Sequence, residues 1–207
     1  LTETELAGAG NGVEHLIELV NDLLDFEKLE AGRMDFQMES SRLSELLDEA
    51  QRLIKSLSDE RGIEIKLPHT DLNIFGDRSK LLQVLVNFLS NALKHSEKGG
   101  LVIITCNEQH DVSAQADADH AVVSYDQDDR ANFVEVSVHD EGPGVPEDFA
   151  KTIFAPFEQI GSRRIADQGT GLGLAICKLI VEGHHGRIGV RSSNILRGSE
   201  FYFMVPR

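Results

Sequence analysis

The spacing of apolar residues predicts a long amphipathic helix at the start of the chain. In residues 12–30, GVEHLIELVNDLLDFEKLE, apolar positions recur at intervals of three and four. They are Val13, Leu16, Ile17, Val20, Leu23 and Leu24. Such a wide stripe favours a helix of a bundle over one strand of a narrow coiled coil. Gly32 suits the C-terminal cap of this helix, so we expect a domain boundary that separates residues 1–33 from 34–207.

Beyond residue 33 the pattern changes repeatedly between the period of a strand and that of a helix. Strands are predicted at 34–38, 63–67, 72–75, 101–106 and 133–140, with a closing hairpin at 187–192 and 200–205. Helices are predicted from Ser40 or Ser41 to about residue 60, at 78–95 with Asp77 as N-cap, at 147–152 and at 171–184. This order predicts an α/β (α+β) sandwich whose mixed sheet has helices packed on one face.

The acidic segment 108–130 interrupts this pattern. Its sequence, EQHDVSAQADADHAVVSYDQDDR, contains seven acidic residues, one arginine and few large apolar residues. Acidic side chains could bind a metal, but the spacing of an EF-hand is absent. A solvated loop inserted between two strands is therefore the favoured interpretation.

Composition narrows the classes of partner. The 207 residues carry a net charge of −15, which argues against nucleic acid and against anionic membranes. Cys106 and Cys177 are the only cysteines, both in apolar runs, so we expect two core thiols in a reducing, cytoplasmic compartment. No membrane helix or signal peptide is visible. Because the chain begins with leucine, we expect a fragment, and its parent could be membrane-anchored.

The predicted helix 78–95 carries a line of polar residues through an apolar stretch. Gln83, Asn87, Asn91, Lys94 and His95 follow one another at helical spacing and share a face. A solvent-facing stripe would be the ordinary interpretation, but asparagine is a mediocre helix former and a poor choice for solubility alone. Amide oxygens suit Mg²⁺ bound together with phosphate, and a lysine could neutralise the same phosphates.

The strand 133–140 ends at a carboxylate followed by a turn rich in glycine and proline. In VSVHDEGPGVPED, Asp140 precedes Gly142 and Gly144. An ordinary strand and turn would have the same sequence. A carboxylate in such a turn could also accept a hydrogen bond from the exocyclic amine of adenine, and guanine has a carbonyl at that place.

Two further segments suggest a phosphate site. In DQGTGLGLAICKLIVE, glycines alternate at the mouth of a helix, where backbone N–H groups attract anions, although a flexible turn is the commoner meaning. The spacing fits neither the dinucleotide fingerprint nor the Walker loop. Before it, IFAPFEQ provides Phe154 and Phe157, which suit core packing or the anchoring of a loop. Arg163 and Arg164 in the intervening loop are solvated residues or clamps on a terminal phosphate.

Four elements, NFLSNALKH, DEGPG, IFAPF and GTGLGL, stand in this order. Together they resemble the catalytic, ATP-binding domain of sensor histidine kinases, a branch of the superfamily that includes gyrase, a heat-shock chaperone and MutL. The resemblance covers about residues 34–207. In addition, LVNDLLDFEKLEAG at 19–32 resembles the second helix of the dimerisation domain that precedes the catalytic domain in that family.

By position, the resemblance implies roles for the candidate residues. Asn91 would be the main Mg²⁺ ligand with Asn87 beside it, Lys94 would meet phosphate, and His95 would lie near the nucleotide. Asp140 would bind the adenine amine, with Gly142 and Gly144 shaping the pocket. The turn formed by Gly169, Thr170, Gly171, Leu172 and Gly173 would bind the phosphates, and Phe154 and Phe157 would hinge a lid that carries Arg163 and Arg164.

The sequence departs from the family pattern chiefly in its phosphoacceptor. A histidine followed by an acid, with a proline a few residues on, is absent, and His15 lies in what resembles the second bundle helix. Smaller departures are Gln168 and His185, where the family often has glycine.

The resemblance therefore implies an ATP-dependent histidine kinase core whose acceptor histidine lies outside this chain. Its partners would be ATP, a phosphoacceptor helix, a response regulator or receiver domain, and a second copy in the full-length protein. The alternatives are a nucleotide-binding pseudokinase or scaffold, an ATPase of the same superfamily, and a serine-kinase relative that acts on anti-sigma partners, which the bundle helix disfavours. The ATPases carry a catalytic Glu where Asn87 stands, and an amide cannot act as a base.

Overall fold

The computed structural model describes residues 19–110, 132–158 and 170–207, except for the side chain of His110. Helix α1 is described over residues 19–30. The elements that follow are β1 Glu39–Arg42, α2 Leu43–Arg61, β2 Glu64–Lys66, β3 Asn73–Gly76, α3 Arg78–His95, β4 Leu101–His110, β5 Asn132–His139, α4 Glu147–Ala150, α5 Gly173–Gly183, β6 Arg187–Ser192 and β7 Ser199–Pro206. In the described ranges no helix is both long and apolar enough to cross a membrane.

Five strands form the main sheet in the order β2-β4-β5-β7-β6. Strands β2 and β4 run parallel, and the pairs β4–β5, β5–β7 and β6–β7 are antiparallel. The mixed sheet and the closing hairpin of β6 and β7 are therefore confirmed. Strands β1 and β3 form a separate antiparallel pair.

The core lies between one face of the main sheet and the helices α2, α3 and α5. Register pairs Val136 of β5 with Phe203 of β7 and Val138 with Phe201, so their apolar side chains share the face that the helices cover. From α3, Phe88 contacts both phenylalanines, with ring centroids 5.5 and 6.2 Å apart. The predicted packing of helices on one face is thus confirmed.

The opposite face of the sheet carries a buried polar cluster. Glu135, His139 and Glu200 are each at most 5% exposed. Arg191 binds both glutamates and lies 4.5 Å from the ring centre of Tyr202. The alternation of β5 places these polar residues on the face opposite the helices, where neighbouring polar side chains bind and bury them.

Helix α1 ends as predicted at Gly32, which has a φ of 61°. The N–H groups of Gly32 and Arg33 donate to the carbonyls of Leu29 and Lys28, the pattern of a Schellman cap. Near this end Leu29 joins the core of the molecule. The division at residue 33 remains a prediction, and His15 lies outside the described residues.

Three predictions about the elements are wrong. Residues 34–38 are not a strand, and β1 begins at Glu39. Neither Ser40 nor Ser41 caps α2, because both pair with β3 and Arg42 occupies the cap without a side-chain hydrogen bond. The segment at 108–110 belongs to β4, where Glu108 pairs with Val134, so the insertion begins later than predicted. The rest of the acidic segment lies outside the described residues.

Candidate nucleotide-binding site

Helix α3 carries most of the candidate site, and its start is fixed by Asp77. Oδ1 of Asp77 accepts hydrogen bonds from the N–H groups of Ser79 and Lys80 at 3.0 and 3.1 Å, which confirms the predicted N-cap. Burial alone would raise the pKa of Asp77, but these bonds and one from the Gln37 N–H outweigh burial and lower the pKa. The cap thus remains ionised near neutral pH and favours the positive end of the helix dipole.

Two amides on α3 are paired, and one of them lies against the glycine turn. Asn91 Nδ2 donates to Asn87 Oδ1 at 3.1 Å. A Cβ built on Gly173 would lie only 2.2 Å from Asn87 Nδ2, so the start of α5 can approach this amide pair only because residue 173 has no side chain. The structure therefore brings Asn87 into contact with the candidate phosphate turn, and Asn91 is bonded to Asn87.

The glycine turn is held at both sides of its bend. Gly171 has a φ of 72°, and its carbonyl accepts a hydrogen bond from the Phe157 N–H at 2.9 Å. Thr170 Oγ1 accepts from the Leu172 N–H at 3.1 Å and donates to Asp22 Oδ2 of α1 at 2.8 Å. The bond between Phe157 and Gly171 closes the base of the loop between them.

Asp140 lies at the end of β5 and is 4% exposed. Its Oδ1 accepts hydrogen bonds from the N–H groups of Gly142 at 2.7 Å and Ser199 at 3.1 Å. Burial raises the pKa of Asp140, although these bonds and the nearby His95 and His139 oppose the rise. Two backbone donors on one oxygen fix the orientation of the carboxyl group.

The Asp140 turn contacts the C-terminal end of α3. A Cβ built on Gly142 would lie 2.9 Å from Asp140 Oδ1 and 3.1 Å from the carbonyl oxygen of His95. The Glu141 N–H donates to Ser96 Oγ at 3.3 Å, just beyond the helix. One helix thus touches the glycine turn through Asn87 and the Asp140 turn through its last residue, with Asn91 between them.

Sequence reasoning missed the residues that support Asp140 from behind. A Cβ built on Gly198 would lie 2.1 Å from Asp140 Oδ1, and the Gly198 N–H donates to the Asp140 carbonyl at 3.0 Å. The neighbouring bond from the Ser199 N–H to Asp140 joins residues that are 59 positions apart. The signal in the sequence was GSEF at 198–201, which marks a glycine beside a strand but not what the glycine touches.

The remaining predicted site residues differ in their surroundings. Lys94 and His95 are exposed in the last turn of α3, and Gly144 has a φ of 78° in the Asp140 turn. Phe154 is buried in the core, whereas Phe157 is 65% exposed with a φ of 64°. Arg163, Arg164 and Gly169 lie outside the described residues.

A mixed sheet covered by helices on one face, with an amide-bearing helix between two glycine turns, is the arrangement of one class of ATP-binding domain. The family described as "Histidine kinase-, DNA gyrase B-, and HSP90-like ATPase" matches residues 76–207. The chain belongs to this family, as the ATP-binding catalytic core of a sensor histidine kinase.

Individual relatives agree with this assignment. The alginate biosynthesis sensor protein KinB of Pseudomonas aeruginosa is 32% identical over 94% of this chain and 29% of its own length. A structure of full-length ShkA in complex with AMPPNP is 30% identical, with a TM-score of 0.72, and covers 98% of this chain and 38% of that one. The nucleotide-free catalytic domain of histidine kinase ThkA is 30% identical, with a TM-score of 0.62, over 84% and 96% of the two chains. The chain spans between 9% and 29% of the length of the first curated relatives it matches.

Proposed function

We propose that this core transfers the γ-phosphoryl group of Mg-ATP to a histidine that lies outside these 207 residues. The observation that carries the proposal is the position of α3, which touches the Asp140 turn at one end and the glycine turn at Asn87. A nucleoside triphosphate could lie along such a helix with its base at one turn and its phosphates at the other. The proposal deepens the family assignment by giving each residue a role.

At the base end, Asp140 is proposed to accept a hydrogen bond from the adenine amine. Both backbone donors bind its Oδ1, so the proposal assigns Oδ2 to the ligand. Gly142 lets the backbone of the turn approach the carboxyl group, because a Cβ there would lie 2.9 Å from Asp140 Oδ1. A guanine carbonyl facing the same oxygen would be repelled, which predicts selectivity for ATP over GTP.

At the phosphate end, the donor set fits Mg²⁺. Asn91 and Asn87 offer hard amide oxygens, and in the described ranges no group of three or more His, Cys, Asp or Glu side chains could hold a metal instead. Mg²⁺ would neutralise negative charge on the phosphates and align them. Lys94 would add positive charge, and Arg163 and Arg164 are proposed to bind the terminal phosphate.

Asn87 favours transfer over hydrolysis. The side chain next to the glycine turn is an amide, which cannot take a proton from an attacking water. An ATPase of this superfamily would need a carboxylate there, so the ATPase alternative is disfavoured. A pseudokinase or scaffold role would need the same nucleotide site, and only an assay of transfer separates it from the kinase.

The relatives suggest the setting of this reaction. KinB is named a sensor protein, and ThkA is named a histidine kinase. We propose by analogy that the full-length protein pairs with a second copy through α1, presents a phosphoacceptor helix and passes the phosphoryl group to a response regulator in the cytoplasm.

The test follows the fate of the terminal phosphate. With γ-labelled Mg-ATP, the full-length protein should acquire an acid-labile label on histidine, and the isolated chain should bind ATP without releasing phosphate over many turnovers. Asn91→Ala should abolish labelling, and the matched change at exposed Asn73, Asn73→Ala, should not. Sustained phosphate release by the isolated chain would favour the ATPase, and binding without labelling would favour the pseudokinase.

A further inference from the structure

A hydrogen bond joins helix α1 to the proposed phosphate turn. Thr170 Oγ1 donates to Asp22 Oδ2 at 2.8 Å and accepts from the Leu172 N–H at 3.1 Å. A hydroxyl group has one proton to donate. While Asp22 accepts that proton, Thr170 cannot donate it to a phosphate oxygen.

Apolar side chains of α1 face the glycine turn across an open groove beside Asp22. Leu19, Val20 and Leu23 of α1 line a groove of about 190 Å³ together with Phe157 and Leu172, the residues on either side of the loop base. The bond between the Phe157 N–H and the Gly171 carbonyl fixes the second wall of the groove. Asp22 is therefore the polar side chain by which α1 reaches the glycine turn.

An ion pair attaches α1 to the core one turn further along the same face. Asp25, one turn after Asp22, lies with Oδ2 at 3.6 Å from Lys80 Nζ of α3, and both side chains are partly buried. The helix that carries Asp22 is thus attached to α3 as well as to the turn. The carboxylate of Asp22 also places a negative charge close to the proposed position of the negatively charged phosphates.

We propose that Asp22 competes with the nucleotide phosphates for Thr170, so that packing of α1 on the glycine turn and phosphate binding oppose each other. The inference rests on the proposed function, because it takes this turn as the phosphate site. Linkage makes the effect reciprocal: phosphate bound at Thr170 weakens the packing of α1 by the same factor by which α1 weakens nucleotide binding. Asp22 is then a positioning residue that couples the helix to the site.

The test compares nucleotide affinity in two charge-removing variants of α1. Asp22→Ala should lower the Kd for Mg-ATP by roughly fivefold to tenfold, and leave the Kd for adenosine, measured as a competitor, unchanged. Glu27→Ala removes an exposed carboxylate from the same helix and should change neither value. In a Thr170→Val background, Asp22→Ala should lose most of its effect, because the contested hydroxyl is gone and only the removal of negative charge remains.

The outcomes separate the two claims. An unchanged or raised Kd for Mg-ATP in Asp22→Ala overturns the competition, as does an equal change for adenosine or an effect of the same size in Thr170→Val. Failure of the wild-type chain to bind Mg-ATP at all overturns the proposed function instead.

Discussion

At the scale of single residues, three glycines of the candidate site are needed because another side chain occupies the space that a Cβ would take. Asn87 fills that space at Gly173, and the carboxyl group of Asp140 fills it at Gly142 and Gly198. Each glycine therefore acts by letting a functional side chain approach the backbone. Sequence reasoning treated Gly173 only as a phosphate contact and could not find its steric role, because Asn87 is remote in sequence.

Gly173→Ala tests this steric role. The new methyl group would lie within 2.2 Å of Asn87 Nδ2 and displace the amide, which breaks its bond to Asn91. We expect Mg-ATP binding to weaken about tenfold, the equivalent of about 1.4 kcal/mol, as measured by titration calorimetry.

The control for this change is a double-mutant cycle. In an Asn87→Ala background the clash is absent, so Gly173→Ala should add little further loss. Equal losses in both backgrounds would mean that the alanine acts on the turn itself and that the steric account is wrong.

His185 shows how a departure from the family pattern is tolerated. It has a φ of 58°, in the left-handed region that favours glycine, directly after the end of α5. Histidine enters this region more readily than branched residues, at a cost of about 1–2 kcal/mol. The sequence identified the departure, but the backbone angle that gives it a cost is visible only in the fold.

At the scale of elements, periodicity predicted the bounds of a helix or strand best where the element buries one face and where a capping residue or a paired strand marks its ends. Helix α3 matches the predicted bounds because Asp77 caps it, and β6 matches because β7 pairs with it along its length. The prediction of a strand at 34–38 was wrong because alternating apolar residues indicate which side chains are buried, and not whether the backbone pairs with another strand. Met34 and Phe36 pack on the core, and the ring of Phe36 contacts His184 at 4.7 Å, but the segment forms no strand.

His184 joins two elements by a hydrogen bond that depends on its protonation. The Asp77 N–H donates to Nε2 at 2.8 Å, and Nδ1–H donates to the Ile180 carbonyl at 2.7 Å. Burial lowers the pKa of His184, although the Ile180 carbonyl and Asp77 oppose the shift. The neutral ring therefore fastens the end of α5 to the start of α3.

This arrangement predicts a loss of stability in mild acid. Because the pKa is lower in the folded state, the unfolded chain binds more protons once the pH falls below about 6.5. The free energy of unfolding, measured by urea denaturation, should therefore decrease from pH 7 towards pH 5. His184→Gln keeps an acceptor for the Asp77 N–H without a titrating ring, so its decrease should be shallower.

The same change at the exposed His69 is the control and should keep the wild-type slope. Burial also lowers the pKa of His139. Part of the decrease in stability towards pH 5 should therefore remain in every variant. A His184→Gln profile parallel to the wild type would contradict the role of this ring.

At the scale of the whole molecule, α1 and the catalytic core form one connected structure at the phosphate end of the proposed site. The exposed apolar residues Val20, Leu23 and Leu24 show that much of the bundle stripe remains uncovered while the same helix contacts the glycine turn. The stripe itself could be read from the sequence. Its contact with Thr170 could not, because a hydrogen bond across 148 residues leaves no periodic pattern.

The family and the order of the four motifs were predictable because each motif is short and local. The closure of the site was not, because it depends on Ser199 and Gly198 reaching Asp140 from a distant strand. The negative charge of the whole chain, −15, likewise says little about the proposed site, whose candidate ligand groups are amides, backbone N–H groups, Lys94 and the oriented carboxylate of Asp140.

The most direct test of a single nucleotide site along α3 is a calorimetric titration of Mg-ATP and Mg-GTP into the wild type and Asp140→Asn. The variant keeps an oxygen for the N–H groups of Gly142 and Ser199 but replaces the other oxygen with a donor. We predict that the wild type binds ATP at least tenfold more tightly than GTP, about 1.4 kcal/mol, and that Asp140→Asn loses most of this preference. Equal binding of both nucleotides by the wild type, or an unchanged preference in Asp140→Asn, would contradict the account.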